Sequence, residues 1–200
     1  KYVNSCSGCY VSNKKVFDVA EKISSGERWL NTGLILIRDP NKDFLEARNL
    51  LNDSADKFEI VKLYEKISRT YNANAKFELS NIYADSSISI YEFLIQEGKT
   101  DYFSNVARLY QLKANNFRYM DSVGAMVNSL YKSNQALLFD FNPLVNAPML
   151  SKNYIELGDL YSRRGDRGQA YMWLNVAYDL VFDTINKRSD FKRNLRYLAL

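Results

Sequence analysis

Histidine is absent from the 200 residues of this chain. That absence removes Ser-His-Asp and Cys-His catalysis, imidazole acid–base chemistry and nearly every catalytic zinc arrangement. Proline and glycine are scarce, 3 and 8 residues, too few for a loop-rich protein or an all-β barrel. The glycines are scattered and form neither a phosphate-binding loop nor a dinucleotide fingerprint. No stretch of eighteen apolar residues occurs, so no membrane span is expected. Charge is nearly balanced, 27 basic against 23 acidic residues for a net +4, and well mixed along the chain. No basic block or aromatic-interleaved basic strip points to nucleic acid. The two cysteines, Cys6 and Cys9, stand together in a Ser-rich opening. They read as a small disulfide loop of a secreted protein, as half a zinc site, or as incidental thiols. A closed mononuclear zinc site would need water or carboxylates, since there is no second cysteine pair. No metal site and no cofactor is therefore expected.

What the chain does have is 46% apolar residues, with 15 Tyr and 11 Phe, enough for a continuous core between packed helices. Residues 1–12 read as an irregular lead and 13–200 as one helical domain. Lys14 to Ser24 is amphipathic through Val16, Phe17, Val19, Ala20 and Ile23, and suits a capping helix. Asp39-Pro40-Asn41 and Gly98-Lys99-Thr100-Asp101 read as turns. Asn115 to Lys132 reads as one helix and Asn134 to Phe141 as a short partner. Phe141 to Ser151 holds two of the three prolines and reads as the least helical segment, a linker. A closing helix is expected over 184–198, with Phe191, Leu195 and Leu198 inward and Lys187, Arg188, Lys192, Arg193 and Arg196 outward.

Tyr154 to Ala177 is the most patterned stretch. Ile155, Leu157 and Tyr161 mark one helix and Ala170, Trp173, Leu174 and Ala177 the next, around Arg164-Gly165-Asp166. The small residues would let the two backbones approach closely. Tyr154, Leu157-Gly158, Tyr161, Ala170 and Leu174 together resemble the tetratricopeptide repeat pattern. Stepping back by 34 residues, the period of that family, gives Val123-Gly124, Val127, Ala136 and Phe139. Leu94-Ile95 with Ala107, Tyr110 and Ala114 makes an earlier copy, and Ile60-Val61 with Tyr64, Ala73 and Ser80 another. The first copy is Trp29, Thr32-Gly33 and Leu36 with Ala47, Leu50 and Ser54-Ala55. The resemblance implies an all-α, right-handed solenoid of about five degenerate helix pairs, near 27–56, 57–86, 87–114, 115–143 and 151–182. The spacing Ala47 to Ala55, with its longer first loop, is similar to the bacterial Sel-one-like subclass.

The resemblance implies a non-enzymatic scaffold that binds another protein or an extended peptide on its concave face. Carried onto this sequence, the groove would present Lys62, Lys66, Gln96, Arg118, Asp121, Asn128, Lys152, Asp159 and Arg163. Leu34, Lys62, Gln96, Ala125 and Asp159 stand where chaperone-binding members carry the clamp asparagine, so a chaperone-tail clamp is not expected. The bacterial subclass implies secretion, envelope-assembly or virulence systems, and favours a periplasmic or secreted setting. Two alternatives remain. One is a helical-superhelix enzyme acting on cell-wall polysaccharide through paired carboxylates such as Glu65, Glu78, Glu92 or Glu97. Buried glutamates paired in a cleft would favour it. The other is a self-associating structural subunit, favoured by an end copy that leaves an apolar face uncovered.

Overall fold

The computed structural model describes residues 18–28, 31, 40–51, 56–139 and 142–185, and among these all regular structure is helical. The chain is all-α over that span. The 1–12 lead, both cysteines, Trp29, Thr32-Gly33 and Leu36 of the first copy and the closing helix past 185 lie outside the described residues. Helical residues 18–28 form α1. Then follow α2 (Pro40–Leu50), α3 (Lys57–Ala73), α4 (Phe77–Gln96) and a 3-10 turn at Thr100–Tyr102. The remaining helices are α5 (Phe103–Tyr119), α6 (Val123–Phe139), α7 (Pro143–Arg163) and α8 (Arg167–Ile185). Two compact units result, Lys1–Ser87 and Ile88–Leu200, with the division inside α4.

In the first unit Phe44 and Ala47 of α2 pack with Leu63, Ile67 and Tyr71 of α3, every one of them buried. These positions recur at three- and four-residue steps, the spacing of one helical face. Asp56 starts α3 by accepting from the Phe58 N–H at 3.1 Å. Ser68 ties α3 to α4 by donating to the Ser80 carbonyl at 2.8 Å, and Tyr71 stacks on Tyr83.

The second unit is built on two helical hairpins, α5 with α6 and α7 with α8. Leu130 and Leu137 of α6 meet Leu150, Tyr154 and Leu157 of α7 and Trp173, Ala177 and Leu180 of α8 in one core. A polar seam runs through it. Asn153 of α7 is fully buried and donates to Ser133 Oγ at 2.9 Å and Asn134 Oδ1 at 2.7 Å. It accepts from Gln111 Nε2 of α5 at 2.6 Å, while Ser133 donates to the Ala107 carbonyl at 3.0 Å. Each buried polar group finds a partner on another helix, so the seam fixes how the three helices register. Beside it Tyr154 stacks on Trp173 and Tyr131 meets the same indole edge-on. The Tyr154 hydroxyl and the Trp173 N–H find no hydrogen-bond partner there. Burial, and then the neighbouring Tyr131, push the Tyr154 phenol up to about 12.

The helices end in one recurring way. At Ala75, Gly98, Asp121 and Gly165 the backbone turns left-handed, with φ of +55°, +89°, +53° and +78°. In each case the next residue's N–H reaches the carbonyl five residues back: Lys76 to Tyr71, Lys99 to Leu94, Ser122 to Phe117, Asp166 to Tyr161. This is the Schellman closure, which satisfies carbonyls that the helix end leaves open. Only two of the four positions are glycine, so sequence inspection finds Gly98 and Gly165 and passes over Ala75 and Asp121.

The helix boundaries therefore cut across the copies drawn on the sequence. The turn at Met120–Ser122 breaks the stretch 115–132 that reads as one helix, and α6 then runs without interruption to Phe139. Turns joining α3 to α4, α5 to α6 and α7 to α8 place their left-handed residues 46 and 44 residues apart, where the resemblance implies 34. The cause is helix length: these helices run 17 to 21 residues. The proline-bearing segment is not a linker either. Pro143 opens α7, where its missing N–H costs nothing. Pro148 lies inside the helix, on an exposed face, while Ala147, Leu150, Tyr154 and Leu157 continue one buried stripe past it. Packing of that stripe outweighs the one hydrogen bond lost.

The close approach expected at Leu157-Gly158 is present. A Cβ on Gly158 would fall 2.7 Å from Leu174 Cγ and 3.3 Å from the Ala170 carbonyl oxygen, whereas one on Gly124 would meet nothing within 4 Å. Gly158 is a contact between helices; Gly124 is the exposed second residue of α6.

Candidate functional site

A cleft of about 440 Å³ opens on the second unit between the end of α4, α5 and α6. Its lining follows helical spacing on each element: Glu92, Ile95 and Gln96 on α4; Phe103, Val106 and Tyr110 on α5; Lys132, Gln135, Ala136 and Phe139 on α6. Val106 is buried and forms part of the floor, whereas Phe139 stands 72% exposed at the edge. Its ring meets Phe103 with centroids 4.5 Å apart. An exposed phenylalanine held by a second ring keeps its shape in water without being hidden from it.

The rim is polar. Glu92, Gln96, Lys132 and Gln135 are exposed. The Lys132 ammonium lies 5.5 Å over the Tyr110 ring, and Lys113 lies 5.9 Å from the same ring and 5.9 Å from Phe117. The Lys132 contact holds that charge at the cleft. Apolar floor, aromatic edge and a few convergent polar groups make up the usual composition of a ligand cleft. Its size suits one or two side chains.

Of the residues assigned to the concave groove, Gln96 alone lines this cleft, and Glu92, one of the candidate carboxylates, lines it too. Lys62 is exposed on α3, its ammonium 3.8 Å over the Phe58 ring. Lys66 pairs with Glu27 of α1. Arg118 of α5 pairs with Glu156 of α7 at 2.8 Å, and Asp159 pairs with Arg163 one turn along α7 at 2.8 Å. Asp121 occupies a left-handed turn, and Asn128 and Lys152 are exposed on α6 and α7. Within the second unit Lys152, Asp159 and Arg163 follow helical spacing along one side of α7, where Glu156 between them holds Arg118, whereas Asp121 lies in a turn and Asn128 on α6. The 34-residue phase drew one helix across the turn between α5 and α6, so Asp121 falls on that turn and Asn128 on α6. The residues that do converge had a detectable signal. Phe103, Val106 and Tyr110 on one helix and Lys132, Ala136 and Phe139 on another repeat at steps of three and four.

Glu65 is half-buried and Glu78, Glu92 and Glu97 are exposed. No glutamate is buried among the described residues. No described helix is long and apolar enough to cross a membrane. No family model matches the chain, and no curated protein is similar to it in sequence.

Proposed function

We propose that this protein is a non-enzymatic interaction scaffold, a helical solenoid of the tetratricopeptide-like kind, and that the cleft lined by Phe103, Phe139 and Lys132 receives a segment of a partner protein. The observation that carries this reading is the exposed Phe139 ring held against Phe103 above an apolar floor. A partner segment would place an apolar side chain on Ile95, Val106 and Ala136. A carboxylate beside it would meet Lys132, which has no carboxylate partner of its own among the described residues. The absence of buried glutamate in the cleft supports binding over sugar hydrolysis, since a general acid needs a raised pKa and hence burial. The resemblance to bacterial helical repeats supports service in secretion, envelope assembly or virulence.

The test compares wild type with Phe139→Ala plus Lys132→Glu in affinity capture from the source organism. Both side chains are exposed, so the variant should keep its helical circular dichroism. A protein captured by wild type and lost from the folded variant supports the reading. Equal capture by both sinks the cleft as the binding surface.

A further inference from the structure

Helix α8 is apolar on both sides. Its inner stripe, Ala170, Trp173, Ala177 and Leu180, is buried in the core. A second stripe, Tyr171, Leu174, Tyr178, Val181 and Phe182, follows the same steps of three and four on the outside and is 71%, 43%, 66%, 44% and 44% exposed. Tyr178 and Phe182 stack on one another at 6.0 Å. A helix apolar all round is normally covered all round. The five side chains expose on the order of 600 Å² together, at the upper end of what a monomer leaves uncovered.

We propose that this outer face of α8 is the interface between two copies of this chain, paired antiparallel about a two-fold axis. Area and charge both support that occupant. Two such faces would bury roughly 1,200 Å², the threshold of a specific protein interface. From Gly168 to Tyr178 α8 carries no charged residue, so the stripe from Tyr171 to Tyr178 can be covered without desolvating an ion, and Asp179 is the one charge within the span that continues to Phe182. Arg164 and Arg167 stand with Asp166 at the start of the helix, Asp179 and Asp183 toward its end, and Lys187 and Arg188 follow in the sequence. The helix dipole adds positive potential at the start and negative at the end. An antiparallel pair sets each positive helix start beside a negative helix end; a parallel pair sets like beside like. The stripe is also nearly symmetric about residues 176–177, so Tyr171 would face the partner's Phe182 and Leu174 would face the partner's Tyr178 or Val181. Self-complementarity of this kind is what a two-fold interface requires.

The experiment is sedimentation of the full chain over a wide concentration range, beside Tyr171→Glu with Tyr178→Glu. Wild type should associate to two chains, and the double variant, with two aromatic anchors replaced by charge, should dissociate at least about a hundredfold more readily. Circular dichroism of the variant checks that it has folded. Geometry is read by cross-linking, with Cys6 and Cys9 changed to serine. Tyr171→Cys and Phe182→Cys chains should cross-link when mixed and neither should do so alone. Each cross-linking alone would overturn the antiparallel arrangement. A wild type monomeric throughout, with α8 amides protected from exchange, would overturn the proposal in favour of coverage by residues 186–200. Two chains persisting in the double variant would place the interface elsewhere.

Discussion

Gly158→Ala tests the packing that brings α7 against α8. Two effects oppose. Alanine is a better helix former than glycine by about 1 kcal/mol in a helix interior. Against this, the new Cβ would fall 2.7 Å from Leu174 Cγ and 2.9 Å from its Cδ2, with the Ala170 carbonyl oxygen at 3.3 Å. Leu174 is 43% exposed and can swing outward, but the carbonyl belongs to a helical backbone and cannot. Overpacking of this kind costs about 1–3 kcal/mol, so the net is a loss of about 1 kcal/mol, which lowers Tm by about 4 °C for a unit of this size. Gly124→Ala is the control. It sits in a helix with nothing within 4 Å of its Cβ, so only the propensity term acts and stability rises by up to about 1 kcal/mol. Urea unfolding followed by far-UV circular dichroism measures both. A third chain, Gly158→Ala with Leu174→Ala, identifies the clash. Truncating Leu174 should cost about 1 kcal/mol less in that background than in wild type. A Gly158→Ala protein as stable as Gly124→Ala would refute the close approach.

Ala75→Gly should raise stability by about 0.5–1 kcal/mol, because Ala75 holds φ +55° where a Cβ is strained; thermal unfolding reads it, and a loss would show that the turn tolerates alanine freely. Asn153→Ala should cost about 3 kcal/mol, since Gln111, Ser133 and Asn134 all lose a partner at once. A cost near that of a surface substitution would remove the seam from the list of features that fix α5, α6 and α7 together. The Tyr154 phenol, raised by burial to about 12 from an ordinary 10, makes stability depend on pH on the alkaline side. Its folded pKa is the higher one, so the protein keeps full stability below pH 10 and loses about 2–3 kcal/mol as pH rises to 12. Tyr131, raised first by its own burial, acts in the same direction. Tyr154→Phe should flatten that limb and, by removing a buried hydroxyl without a partner, leave neutral stability unchanged or higher.

Several features were legible before any fold was known. The steps of three and four that bury Phe44, Ala47, Leu63 and Ile67, and Leu157, Trp173 and Ala177, are written in the residue order. So is the turn at Arg164–Asp166, where glycine supplies the left-handed residue. The hairpin from Tyr154 to Ala177, including the contact at Gly158, could be read from the chain because every residue of it acts on a neighbour within two turns or across one short loop. The helix ends at Ala75 and Asp121 could not. Neither residue type demands φ near +55°, and it is the packing of the two helices they join that holds them there. Pro148 misled for the mirror-image reason: a local rule against helix gave way to a stripe whose partners are far along the chain.

The sequence by itself determined that this protein is helical, because hydrophobic periodicity is a property of neighbours and needs no knowledge of what lies opposite. It also determined that these 200 residues supply no imidazole, since that depends on composition alone. Tertiary structure decided the rest. The cleft exists because α5 and α6 form a hairpin and bring Phe103 beside Phe139, 36 positions later in the chain. The outer stripe of α8 is exposed because only one of that helix's two apolar faces meets the core. Which apolar side of a helix is covered is settled by the partner it meets, and that partner lies outside the window in which a sequence pattern can be read.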